Sequence, residues 1–177
     1  MSKHKLVELQ EVIDEKIGSL REEVAMGTNV RPNPLYVADI RDEIGFLQWA
    51  IGIIKSILNR DHDEHQHLVT KKRLEMMETM EFENTIQERV QELKTKLKDC
   101  SDLRESDILI NEIDTLESTL GRLMDLKYGD KARAIEIAEA NHDFKQANHL
   151  RKQIVKIQDI ESEIIAQYSK TKFKWTS

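Results

Sequence analysis

Apolar residues recur every three or four positions along almost the whole chain. No other feature constrains the fold as tightly. Leu6, Leu9, Ile13, Ile17, Leu20 and Val24 fall on one face of a helix from about Lys3 to Met26. Ile40, Ile44, Leu47, Ile51, Ile54 and Leu58 repeat at alternating four- and three-residue steps, the seam of a coiled coil. The rhythm returns at Met76, Met80, Ile86, Val90, Leu93 and Leu97, then at Leu109, Ile113, Leu116, Leu120 and Leu123. A last seam comprises Ala147, Leu150, Ile154, Ile157, Ile160 and Ile164. Only 2 prolines and 6 glycines interrupt 177 residues, too few for the turns of a sandwich or barrel. The expected fold class is all-α: an elongated antiparallel helical bundle or coiled coil of about five helices.

The breaks are few enough to place. Gly27 suits a helix C-cap, and Pro32 and Pro34 forbid continued helical hydrogen bonding, so a hairpin turn is expected here. The next helix should begin between Leu35 and Asp39. Within it, Gly45 and Gly52 share a face that could admit another helix closely or could merely weaken the helix by about 1 kcal/mol each relative to alanine, and Phe46 and Trp49 widen the apolar surface. From Asn59 to His67 no aliphatic residue occurs, yet Gly and Pro are also absent. The chain can either continue as an exposed helix or break here, and the continuous or slightly kinked helix, running to Lys98, is the favoured reading. From Asp39 that would be about 90 Å. Asp99-Cys100-Ser101-Asp102 reads as a corner, with Ser101 or Asp102 capping the next helix and Glu105 in its first turn. Gly129 reads as a left-handed cap, followed by a short helix from Lys131 to Asn141 and a final one from Asp143 to Tyr168. These breaks divide the chain into an N-terminal helical hairpin (1–58), long coiled-coil helices (59–128), a second hairpin (129–168) and a basic aromatic tail (169–177).

Charge narrows the range of functions. Lys+Arg number 27 and Asp+Glu 33, a net charge of −6, whereas a nucleic-acid-binding domain usually carries a strong basic footprint. The exception is local: residues 145–177 hold seven basic and three acidic groups. The single cysteine, Cys100, excludes an internal disulfide framework and reads as a free thiol. Met1–Lys5 is basic but has no apolar run behind it, so no secretory signal is read. Ile44–Leu58 is too short to span a bilayer. The expectation is a soluble, cytoplasmic protein without membrane contact.

The stretch Ala138-Glu139-Ala140-Asn141-His142-Asp143-Phe144-Lys145-Gln146-Ala147-Asn148-His149-Leu150-Arg151-Lys152-Gln153-Ile154 resembles the UVR motif, a short helical hairpin of UvrB, UvrC and some Clp-type chaperone proteins and their adaptors. The matching features are the alanine-rich first helix, Asp143-Phe144 at the tight turn, and Ala147, Leu150, Arg151 and Ile154 on the second helix. The resemblance covers residues 131–160. Lys145, Asn148 and Lys152 depart from it, standing where the motif usually has an acid, an alanine and an acid. In that family the hairpin is a protein–protein contact, so the resemblance implies a docking element. Asp143 would cap the second helix. Phe144 would fold back as the anchor, and Ala147 would leave room for the crossing.

Other constellations carry less. His62, His65 and His67 with Asp61 and Asp63 fall at helical spacings that suit a divalent metal, but no second set of ligands accompanies them and HExxH is absent. They read as a solvated polar face. Met76, Met77, Met80 and Phe82 read as core, with a partner groove as the alternative. The tail around Phe173 and Trp175 interleaves rings and lysines: it reads first as a disordered end whose rings fold back onto a helix, and beside that as a docking segment for an acidic protein surface, a membrane interface or single-stranded nucleic acid. No nucleophile elbow, P-loop or Cys-x-x-Cys occurs. The reading is a non-enzymatic, self-associating adaptor without cofactor or bound metal. It docks a protein partner through its seams and through Phe144, Ala147, Leu150, Arg151, Phe173 and Trp175. Two alternatives stand beside it: a nucleic-acid-associated accessory factor and a metal-binding helical bundle.

Overall fold

The computed structural model describes residues 3–27, 34–60 and 71–170. Among them are five helices and no strand: α1 (Lys5–Gly27), α2 (Pro34–Leu58), α3 (Lys71–Lys98), α4 (Leu103–Ala140) and α5 (Phe144–Lys170). The chain is an all-α bundle.

The seams pack as their spacing requires. Leu6, Leu9, Ile13, Ile17 and Leu20 of α1 are buried, as are Ile40, Leu47, Ile51 and Ile54 of α2. Phe82, Ile86, Val90 and Leu93 of α3 and Ile113, Leu116 and Leu123 of α4 complete one continuous core. Burying such side chains contributes roughly 1.5–3 kcal/mol each before conformational entropy is counted.

Helix directions follow from the ion pairs. Tyr36 donates to Glu23, joining the end of α1 to the start of α2. Arg104 pairs with Asp39 at 3.0 Å, and Asn111 donates to the Asp39 carbonyl at 2.9 Å, so α2 and α4 begin at the same end. Lys94–Glu117 (2.9 Å) and Lys127–Glu83 (2.8 Å) set α3 antiparallel to α4. α4 packs against each of the other helices and is the spine of the molecule. Its 38 residues span about 57 Å.

Local signals mark several ends. Pro34 is the first residue of α2, where its fixed φ and missing N–H cost nothing. The Asp102 carboxylate accepts from the amides of Arg104 (2.9 Å) and Glu105 (3.4 Å) and caps α4. His4 caps α1 in the same way, its Nδ1 accepting from the Leu6 amide at 3.1 Å.

Four expectations are corrected. First, the helix begun in α2 does not run on to Lys98. It ends at Leu58, Asn59 forms a turn, and Arg60 reaches across to Glu81 of α3 at 2.8 Å. No aliphatic residue from Asn59 to His67 continues the α2 seam, and α3 packs back against α2. Second, Gly129 does not end a helix. It lies inside α4, and no described glycine has a positive φ. Ala132, Ala134 and Ala138 favour helix beyond it. Lys127 and Tyr128 just before it are bound to Glu83 and Glu161, and one interior glycine costs only about 1 kcal/mol. Third, no helix among the described residues approaches Gly45 or Gly52: a Cβ built at either meets nothing within 4 Å. Fourth, Trp49, expected to widen the covered apolar face, is 39% exposed.

Candidate functional site

Two features stand apart from the shared core. The first is the α4–α5 hairpin. The core ends at Leu126, while α4 continues to Ala140, and Ala138 is the one buried residue of that stretch. The turn is a complete Schellman motif. The Asp143 amide donates to the Ala138 carbonyl at 2.8 Å, and the His142 amide to the Glu139 carbonyl at 3.0 Å. His142 holds the left-handed position with φ 58°. Asp143 then caps α5, accepting from the Gln146 amide at 3.1 Å.

Each residue of the UVR-like stretch can now be placed. Ala147 is fully buried, and its small side chain permits the close crossing of α5 on α4. Leu150 is half-buried. Arg151 is exposed and pairs with Glu139 across the hairpin, with Asn148 3.2 Å away on its own helix. Phe144 does not anchor the hairpin, contrary to expectation. It is 57% exposed, and its ring meets the His142 imidazole at 6.0 Å between centroids. The left-handed turn releases α5 with Phe144 as its first residue, on the outer side of the crossing that Ala147 fills. Ile137 nearby is 63% exposed. Sequence reasoning passed over Ile137, because an isolated isoleucine between Glu136 and Ala138 carries no seam.

The second feature is a cleft of about 520 Å³ where α1, α3, α4 and α5 meet. Met76 and Met80 of α3 and Ile157 and Ile160 of α5 form its apolar part. Ile160 was expected in the α5 seam but is 39% exposed here. Lys127 reaches into the cleft wall, with Nζ 2.8 Å from Glu83 and 3.2 Å from Glu161. The Tyr128 hydroxyl donates to Glu161 at 2.5 Å. Burial pushes the Tyr128 phenol well above its ordinary value, and the hydrogen bond to Glu161 and the charges of Glu161 and Glu83 raise it further. Tyr128 therefore stays protonated and serves as a donor. The methionine cluster was the sequence signal for this cleft. Met76 and Met80 line it, while Met80 and Phe82 are buried, as the core reading expects.

Among the described residues no group of three or more His, Cys, Asp or Glu side chains is placed to hold a metal. The His62, His65 and His67 cluster lies outside the described residues, as do Phe173 and Trp175. Cys100 is partly exposed, with Sγ 3.5 Å from the Asp102 carbonyl. Among the described residues no helix is long and apolar enough to cross a membrane.

The geometry defines the class of the protein as an all-α bundle, with five helices among the described residues, carrying a helical hairpin and an amphipathic cleft. No family model, no curated protein and no solved structure matches the chain.

Proposed function

We propose that this chain is a non-enzymatic helical adaptor that docks a protein partner through the α4–α5 hairpin. One observation carries the reading. Two large apolar side chains, Ile137 and Phe144, stand mostly exposed at a rigidly capped turn, on a part of α4 that runs past the shared core. Exposed apolar groups on a preorganised scaffold are what a contact patch requires, because little ordering entropy is lost on binding. The likeness of residues 131–160 to the UVR hairpin supports the same role. Self-association belongs to the reading as well: Trp49 is exposed on an α2 face left open at Gly45 and Gly52.

The test is site-specific photocrosslinking in the native cell from position 144, with exposed Asp114 as the control position. The expected result is a discrete crosslinked protein from position 144 only, lost in an Ile137→Asp background whose circular dichroism is unchanged. Equal crosslinking from both positions would reject the hairpin as the docking element. Light scattering addresses the oligomer, with a dimer or larger species expected.

A second reading draws on the charge of α5. Lys145, Arg151, Lys152 and Lys156 are all exposed along it. In that reading the chain is an accessory factor on nucleic acid. Binding to single-stranded DNA that weakens steeply with salt would favour it.

A further inference from the structure

The cleft between α1, α3, α4 and α5 differs in kind from the hairpin surface. Its volume of about 520 Å³ falls in the range of small-molecule sites. Methionine's flexible, polarizable chain adapts to an apolar ligand of irregular or extended shape, and two methionines form the α3 side.

The polar groups inside the cleft are already engaged with one another. Lys127 bridges Glu83 and Glu161, and Tyr128 donates to Glu161. Glu75 accepts the Lys5 amide at 2.8 Å, and Thr79 donates its hydroxyl to the Glu75 carbonyl at 2.8 Å. A ligand rich in hydrogen-bonding groups, such as a nucleotide, would find few open partners there. The charge at the edge is different. Lys71 and Lys72 line the cleft, are exposed, and have no acidic partner among the described residues.

We propose that this cleft binds a free long-chain fatty acid. Its alkyl chain would lie against Met76, Met80, Ile157 and Ile160, and its carboxylate at Lys71 and Lys72. The apolar surface supplies the affinity, and the two ammonium groups, without an acidic partner among the described residues, select an anionic head. This goes beyond the docking role of the hairpin, and Phe144→Ala should leave it unchanged.

Isothermal titration of the full chain with octanoate, decanoate, dodecanoate and tetradecanoate, each below its aggregation concentration, tests the proposal. Affinity should rise about fourfold per methylene until the chain fills the cleft, then level off. The double variant Lys71→Gln/Lys72→Gln should weaken dodecanoate binding at least tenfold and leave dodecanol binding nearly unchanged. Ile160→Glu places a charge on the alkyl path at a part-exposed position, and should abolish binding of both with circular dichroism unchanged. Absence of saturable tetradecanoate binding would overturn the proposal. So would an affinity independent of chain length, or a lysine double variant that binds dodecanoate like the parent. Displacement of bound acid by phosphatidylglycerol vesicles but not by a second free acid would also overturn it, by assigning the surface to a bilayer.

Discussion

His4 holds its Nε2 3.9 Å from a carboxylate oxygen of Glu78. Its Nδ1 is taken by the Leu6 amide, so the neutral ring carries its proton on Nε2, facing α3. Burial lowers the His4 pKa from its ordinary 6.5, outweighing the opposite pull of the Glu75 charge. A depressed histidine binds fewer protons folded than unfolded. Its contribution to stability is therefore present above pH 6.5 and is lost as pH falls below that value toward the folded pKa. His4→Asn keeps an acceptor for the α1 cap but does not titrate. Denaturant unfolding at a series of pH values should show stability falling below pH 6.5 more steeply in the parent than in His4→Asn. Parallel curves would show that His4 does not carry the dependence.

Lys127 joins three helices through two carboxylates. The side chains of Glu83 and Glu161 are only 19% and 16% exposed, and that of Lys127 11%. Lys127→Met keeps the length of the side chain but leaves two part-buried acids without their cation. It should cost about 3 kcal/mol of unfolding free energy. Adding Glu83→Gln and Glu161→Gln should recover most of that loss, because the neutral amides no longer repel each other. Urea unfolding of the single and triple variants measures both, and additive losses would show that the three groups act separately.

Gly129 and His142 occupy positions that local preference would exchange. Gly129 is helical, and a Cβ there would meet Arg133 Nη2 at 3.6 Å and Asp125 Cβ at 3.9 Å, ordinary contacts. Gly129→Ala should therefore stabilise by about 0.5–1 kcal/mol. His142 sits in the left-handed region that glycine adopts without penalty. His142→Gly should stabilise by about 0.5 kcal/mol after loss of the ring contact with Phe144. Thermal melts report both, and a lower melting temperature for Gly129→Ala would contradict an uninterrupted α4.

The two faces of the hairpin should respond oppositely. Phe144 is mostly exposed, so Phe144→Ala should cost less than about 1 kcal/mol. Ala147 is fully buried at the crossing, and Ala147→Leu should cost about 1–3 kcal/mol through overpacking. Denaturation curves of the two variants separate contact surface from support.

The seams were legible because helical periodicity is a local property. Leu6 to Leu20 and Ile40 to Ile54 can be paired with a core from their spacing alone, and Asp102 and Asp143 announce the helices they cap. The weaker punctuation could not be read in this way. Gly129 has the same residue type as a cap, and Asn59 lies in a stretch with no breaker. In each case the outcome turns on what packs nearby: Glu83 and Glu161 hold α4 through its glycine, while α3 returns to cover α2 after Leu58.

The candidate sites divide along the same line. Spacing put Phe144 and Ile160 on apolar faces, and the chain by itself determined that α5 would be amphipathic. Whether either side chain is covered was decided only by tertiary structure, through the left-handed turn at His142 and the position of α5 against α3. Periodicity states which residues share a face of one helix. Exposure depends on how many helices reach that face, and that is a property of the assembled bundle.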